Sequence, residues 1–523
     1  MKKTIQTITR YIQKHPKVDL LALGLGLAVF LTIALINAPR ASLWFDEAFS
    51  AYISQFSFID IARYTASDVH PPLYYWILKV WVWLFGTTDL AYRSLSVLFG
   101  ALTMAVVFFL SRKLFGRRIA WASLFLLSFS PMLVRYGDEA RMYTLVAFIV
   151  FLATYVLIKA RETHSRKLWI TYGVLISLGM WTHYFTALAW IAHWVWWGIE
   201  KYTKGISWKA YWKAFFSKEW LLSYGLAVGL YLPWLPFMAK QLGIVQGNGF
   251  WIGPVGVDTP TNYLTNYFFY LEHGQVKQWI ALAMLTIVVL TVILIPRVYK
   301  KLTRKEKSSF RLIASLAWAP FVLLFLSSLP PLRSSYVERY LIPSIVALSV
   351  FLAIIFVVGT RRWKPLARVI PFALIAGMMV FGVVNVYKYG NYNKSSNTSI
   401  MARQAVRLAQ STKPGIPIVS NSPWVFYEAI SYATESSPIY FIDEATSYNY
   451  GSLDMLKYSN LHKITDLAQF EKDNPLIWYI GNTSTDDVPA YKTSWVEVKT
   501  VKPDDPLAGS SADRATLYRI SAE

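Results

Sequence analysis

The sequence predicts a polytopic α-helical membrane protein that ends in a small α/β unit, and three observations predict it. The composition is 55% hydrophobic and 16% aromatic against 16% charged, which is too much apolar surface and too little charge for an ordinary water-soluble fold. Apolar runs of roughly spanning length recur through the first 389 residues, separated by short loops that hold most of the Lys and Arg. After Tyr389 the runs stop, and GNYNKSSNTS opens a stretch of alternating strand and helix signals.

A formal charge of +22 could suggest nucleic acid, but such a binder displays its cations on a folded soluble face. Here the cations sit between apolar runs, which reports orientation in a membrane. No nucleic-acid partner is expected. The chain has no cysteine, so disulfides, thiolate nucleophiles and Cys-ligated zinc are excluded.

In chain order, Lys2, Lys3, Arg10, Lys14 and Lys17 precede an apolar run over 20–36. It reads as an uncleaved anchor, because Ala38-Pro39-Arg40-Ala41 is a poor cleavage site. FDEAFSAYISQF follows, with Phe45, Phe49, Tyr52 and Phe56 at helical spacing, so it reads as a helix lying at the interface. In SDVHPPLYYWILKVWVWLFG, Pro71 and Pro72 suit a helix start that Asp68 could cap, and 73–85 is too short to span. Further spans are expected near 90–110, 119–134, 142–158, 168–183, 185–199, 220–238, 278–296, 310–328, 340–358 and 368–387. With the first, that makes about 11 spans by the length rule.

An odd number of spans puts the ends on opposite sides. With a cytoplasmic N-terminus, the N-tail and the loops at 112–118, 159–167, 201–218, 297–311 and 361–368 are inside, holding 29 of the 40 Lys and Arg before position 390. Ten of the 15 acids before that position then fall outside, among them Asp46, Glu47, Asp68, Asp138 and Glu139. The chemistry is therefore expected on the extracytoplasmic face of a cell membrane. Residues 1–389 form the membrane unit. Residues 390–523 form an extracytoplasmic α/β domain, with PIVSN, PIYFI and PLIWYI as buried strands and WVFYEAISYA and ITDLAQFEK as helices.

Several constellations can carry chemistry. Asp46-Glu47 is either a wet surface pair or, embedded among Trp44, Phe45 and Phe49, a desolvated pair able to act as general base. His70, at the mouth of the helix after Pro72, is either structural or faces an anion. In RYGDEARMY, Asp138, Glu139 and Arg141 crowd a short turn before Tyr143, where an Asp138–Arg141 ion pair is the bland reading. Arg93 and Arg339 are single cations at the same depth, and either can simply snorkel. His183 is another candidate; His193 and Glu272 are less informative. Together these groups suit transfer of a glycosyl group from a lipid phosphate, which needs a carboxylate for the acceptor hydroxyl and cations for the departing phosphate. No nucleophile elbow, Walker loop or HExxH helix is present.

The ordered set WFDEAFS, DVHPPLYYW, AYRSLSVLFGAL, SPMLVRYGDEARMYTL and VERYLIP resembles the GT-C glycosyltransferases of the dolichyl-phosphate-mannose protein mannosyltransferase type and their bacterial relatives, the aminoarabinose transferases that modify lipid A. The resemblance implies a GT-C fold and an enzyme using a polyprenyl-phosphate-linked sugar on the outer face, usually with inversion. It implies Asp46 as catalytic base with Glu47 beside it. His70, Arg93 and Arg141 fall near the donor phosphate, Asp138 and Glu139 in a second acidic loop serving substrate or metal. Tyr143, His183 and Arg339 remain substrate-binding candidates. HPPLYYW lacks the glycine-lysine that follows HPPL in eukaryotic mannosyltransferases, and no central β-trefoil module is present, which speaks against a protein acceptor.

The expected function is thus a membrane glycosyltransferase acting on a lipid, glycan or protein hydroxyl. The acids and His70 also include ligands suited to Mg, Mn or Zn. The alternative is a transporter or flippase of lipid-linked sugars, which predicts mid-membrane acids and discontinuous helices in two matching halves. A noncatalytic scaffold gives no reason for the charges around Asp138.

Overall fold

The computed structural model describes residues 17–202, 206–246, 252–271, 277–389, 399–421, 423–442, 462–481, 494–501 and 514–520. Lys2, Lys3, Arg10, Lys14, Glu272 and the linker at 390–398 lie outside the described residues.

Eight helices are long and apolar enough to cross a membrane: Lys17–Asn37, Asp89–Phe115, Tyr143–Thr163, Lys218–Gly243, Gln278–Lys301, Arg304–Leu326, Glu338–Arg362 and Pro365–Lys388. A ninth is the pair Arg117–Ser128 and Pro131–Gly137, bent by 60°. The bend has a local cause. Ser130 turns extended and caps the second helix through Leu133 N–H (3.4 Å), and Pro131 has no N–H to continue the first. The remaining two of the eleven expected spans, Arg166–Thr182 and Thr186–Lys201, are helices of 17 and 16 residues.

The bundle is organised around Ile342–Gly359. This stretch is apolar on every side, and every residue except Val357 is buried, as a helix without a polar face requires. Close approach elsewhere relies on glycine. A Cβ on Gly173 would stand 2.5 Å from the Ser223 carbonyl, and one on Gly382 2.7 Å from that of Phe268. At the end where the 89–115, 143–163 and 342–359 helices finish, the basic loops meet their acids. Asp19 pairs with Arg112 (2.6 Å) and Arg117 (2.5 Å), and Glu200 with Arg161 (3.0 Å) and Arg311.

Helix Phe45–Ile53 does not lie open at an interface. Its aromatic face is buried under helix Pro423–Ile430, with the Tyr427 ring edge-on to Phe45, Phe49 and Tyr52. Helix Leu73–Phe85 stays partly open, with Trp83 81% exposed. Asp68 does not cap it; Asp68 closes helix Phe58–Ser67 instead, and Pro72 stands before Leu73 without a side-chain cap.

The C-terminal region is a six-stranded sheet in the order β3-β2-β1-β4-β6-β5. Strands β1 (Ile418–Ser420), β2 (Ile439–Ile442), β3 (Lys463–Ile464) and β4 (Leu476–Gly481) run parallel. Strands β5 (Trp495–Val501) and β6 (Arg514–Ile520) close it antiparallel. The three expected strands are β1, β2 and β4, and the two expected helices are Pro423–Ile430 and Leu467–Asp473.

Candidate active site

Two neighbours on a helix point about 100° apart, so adjacent acids cannot serve one purpose. Glu47 turns inward. Its carboxylate takes Arg93 Nε at 2.8 Å and Nη2 at 2.6 Å, Ala140 N–H at 2.9 Å and Trp44 N–H at 3.3 Å. Both members of this pair are 1% exposed. The other Arg93 donors go to the carbonyls of Ala38, Ala41 (2.8 Å) and Ser42 (2.9 Å), so all five are spent on protein. The expected phosphate role for Arg93 therefore has no donor to perform it. The side chain instead fixes the 38–42 segment and Glu47.

Asp46 turns the other way. Its side chain is 19% exposed and faces Arg339 Nη2 at 3.4 Å. Arg339 also lies over the rings of Trp44 and Tyr143, each 5.8 Å from its guanidinium carbon. The second cation is Arg141, whose Nη1 reaches the Asp46 carbonyl (3.2 Å), Ser50 Oγ (3.3 Å) and Tyr75 OH (3.0 Å). Its Nη2 lies 3.4 Å from His70 Nε2. Two buried polar atoms near Asp46, Arg141 Nε and the Tyr143 hydroxyl, lack a hydrogen-bond partner among the described residues. Buried donors without partners are uncommon and need a reason, which a ligand would supply.

His70 bonds Asp68 Oδ2 through Nδ1 at 3.1 Å. Burial lowers its pKa, Asp68 partly offsets this, and Arg141 lowers it further, so the ring is neutral. With the proton on Nδ1 toward Asp68, Nε2 presents its lone pair to Arg141. His183, at the turn after helix 166–182, joins the same wall: its ring is 4.8 Å from Tyr340, 5.6 Å from His70 and 6.0 Å from Tyr143.

The 60° bend delivers the second acidic loop. The ion pair does not form between Asp138 and Arg141. Arg135 on the short helix takes both acids, Glu139 at 3.1 Å and Asp138 at 3.6 Å, and bonds Tyr270 OH at 3.1 Å. Asp138 also accepts from the Asn37 amide. Burial pushes the Asp138 carboxyl up to about 6, although Arg135 and Asn37 oppose this.

These acids do not fit a metal. Glu47, Asp138 and Glu139 are held by guanidinium groups and amides, and no group of three or more potential ligands occurs among the described residues. The site thus gathers Asp46, His70, Arg141, Tyr143, His183 and Arg339, and leaves Glu47, Arg93, Asp138 and Glu139 in the layer beneath. Sequence reasoning missed Ser50, Tyr75, Arg135 and Tyr340. Ser50 sits four residues after Asp46, a spacing that could have found it, whereas Asn37–Asp138 spans 101 residues without a local signal.

Residues 69–234 match the family model described as dolichyl-phosphate-mannose-protein mannosyltransferase. No curated protein matches the chain. Among solved structures, ArnT from Cupriavidus metallidurans in the apo state is similar at 14% identity and TM-score 0.59, covering 94% of this chain and 97% of that one. The same protein bound to undecaprenyl phosphate is similar at 15% and 0.57, covering 95% and 98%. The Archaeoglobus fulgidus oligosaccharyltransferase in the apo form follows at 11% and 0.51, covering 90% and 70%. The expected architecture is therefore the one present: the chain has the GT-C fold in ArnT-like form, with a small C-terminal sheet.

Proposed function

We propose that this chain is a membrane glycosyltransferase that moves a sugar from a polyprenyl-phosphate-linked donor to an acceptor hydroxyl, with Asp46 as general base. The observation that carries the reading is the Asp46 carboxylate itself, partly open and set between Arg141 and Arg339, while its neighbour Glu47 is sealed into the scaffold. The family match over 69–234 and the undecaprenyl phosphate held by ArnT support the donor class.

In the reaction, Asp46 takes the acceptor proton as the acceptor oxygen bonds the anomeric carbon. The bond from that carbon to the phosphate oxygen breaks, and its electron pair leaves with the phosphate. One displacement at one carbon inverts its configuration. Arg141 and Arg339 hold the phosphate as its charge grows, the role fixed cations play best in a site closed to water. Arg141 Nε and the Tyr143 hydroxyl supply donors already desolvated. His70, neutral and anchored by Asp68, positions Arg141 through Nε2 and brings no charge of its own. The residues offer no metal site, and no step runs through one.

Sidedness follows from charge. The basic loops occupy one end of the bundle, and the Asp46 site occupies the other, so a cytoplasmic N-terminus puts the site and residues 390–523 outside. A transporter is less well supported, because the acids gather at the bundle's ends and one bent pair of spans occurs among the described residues. The test replaces Asp46 by Asn and follows consumption of undecaprenyl-phosphate-linked mannose, glucose and 4-amino-4-deoxyarabinose in membranes. Turnover should fall by about 10²–10⁴-fold, the usual contribution of a general base. Unimpaired turnover at normal expression removes Asp46 as base.

A further inference from the structure

The C-terminal sheet unit grips the scaffold of the Asp46 site at three places. From helix Ser399–Thr412, Arg403 pairs with Asp89 at 2.7 Å and reaches the carbonyls of Pro39 (3.4 Å) and Arg40 (3.2 Å). Just past helix 423–430, the Tyr432 hydroxyl donates to Asp89 (2.9 Å) and accepts from Leu43 N–H (3.0 Å). On that helix, the Tyr427 ring packs 5.9 Å from Phe45, 6.1 Å from Phe49 and 5.4 Å from Tyr52.

These contacts meet the membrane bundle's own hold on the same segment. Asp89 and Arg93 lie one turn apart at the start of helix 89–115. Asp89 serves Tyr432 and Arg403, while Arg93 serves Glu47 and the carbonyls of Ala38, Ala41 and Ser42. The 38–44 segment is thereby held from both sides. Helix 45–53 has only nine residues, well under the roughly 12–15 below which an isolated helix is marginal, so its form depends on what packs against it.

We propose that the C-terminal sheet unit is a positioning clamp for the Asp46 helix, with Tyr432 as the residue that ties it to the site. Docking of the unit keeps the 38–53 segment ordered and Asp46 aimed at the acceptor. Tyr432, Arg403 and Tyr427 are positioning residues, and the inference rests on the reading of Asp46 as base.

The test uses the full chain in lipid nanodiscs, as wild type, Tyr432→Phe, Arg403→Gln and Asp46→Asn. Amide hydrogen exchange is read over 38–53 and over 143–163, and undecaprenyl phosphate affinity by tryptophan fluorescence. Tyr432→Phe and Arg403→Gln should speed exchange over 38–53 by about fivefold or more, the equivalent of a lost hydrogen bond, and leave 143–163 unchanged. Turnover of whichever undecaprenyl-phosphate-linked sugar wild type consumes should fall in kcat, with undecaprenyl phosphate affinity within about twofold, because Arg141 and Arg339 lie on other elements. Unchanged exchange over 38–53 overturns the clamp. So does faster exchange that spreads to 143–163, which marks general destabilisation. Asp46→Asn separates the two ideas: retained turnover removes the base, while the exchange measurements still decide the clamp.

Discussion

Arg93 grips Glu47 through two hydrogen bonds, Nε to Oε1 at 2.8 Å and Nη2 to Oε2 at 2.6 Å, and has no donor left for anything else. Both side chains are sealed from solvent. Removing one partner from such a pair leaves an uncompensated buried charge and costs about 3–5 kcal/mol. Arg93→Met should therefore lower the melting temperature in detergent sharply, and Glu47→Gln should do so less, since an amide still accepts from Arg93. A phosphate-binding Arg93 would instead show near-normal melting with weakened undecaprenyl phosphate affinity.

Arg339 has the opposite character, standing at the edge of the site against Asp46. Arg339→Gln should weaken undecaprenyl phosphate binding by about tenfold, the scale of one charge-assisted hydrogen bond, with a smaller melting shift than Arg93→Met. Titration by tryptophan fluorescence reads the first effect and thermal unfolding the second. Affinity within twofold of wild type would show that the phosphate sits elsewhere.

Asp138 gives the protein a pH signature. Its carboxyl titrates near 6 in the fold against 3.8 ordinarily, because burial disfavours the charged form. The sign follows: the folded state binds the extra proton, so this contribution is complete below pH 3.8 and is lost as pH rises through 6. The swing is at most about 3 kcal/mol, each pKa unit being worth 1.36 kcal/mol. Thermal stability between pH 5 and 8 should flatten in Asp138→Asn. An identical slope in that variant assigns the titration to another group.

His70 contributes with the reverse sign. Its pKa is lowered by burial, so its stability contribution is present above 6.5 and is lost as pH falls through the depressed value. His70→Gln should preserve more of its melting temperature below pH 6 than wild type does. Because His70 orients Arg141, the same variant should also weaken undecaprenyl phosphate binding at pH 7.5; normal binding there would break the link between the two side chains.

Chelation offers a separate check. Arg93 and Arg135 already neutralise Glu47, Asp138 and Glu139, and a metal would have to displace them. Dialysis against EDTA should leave turnover unchanged. A tenfold loss restored by Mg or Mn would require those acids to rearrange around an ion.

The sequence by itself determined the membrane class, the broken pattern of apolar runs, three strands of the C-terminal sheet and the stretches that build the site. Those follow from local physics. An apolar run must leave water, a proline must end a helix, and Asp-Glu, His-Pro-Pro and a crowded acidic turn announce themselves by the cost of burying charge. Strands β5 and β6 escaped because WVEVKTV and RATLYRI mix exposed polar positions into the pattern, and their pairing with β4 is settled at a distance.

Only the tertiary structure decided which charge meets which. Asp46 and Glu47 look equivalent in the chain, yet one helical step rotates one toward the open site and the other onto Arg93. Arg135 rather than Arg141 takes Asp138, because a 60° bend at Ser130 and Pro131 aims it there. Tyr432 meets Leu43 across 389 positions. The physical reason is common to all three: a side chain's role depends on its remaining hydrogen-bond capacity once its neighbours are in place. In this chain, those neighbours come from segments that only folding brings together.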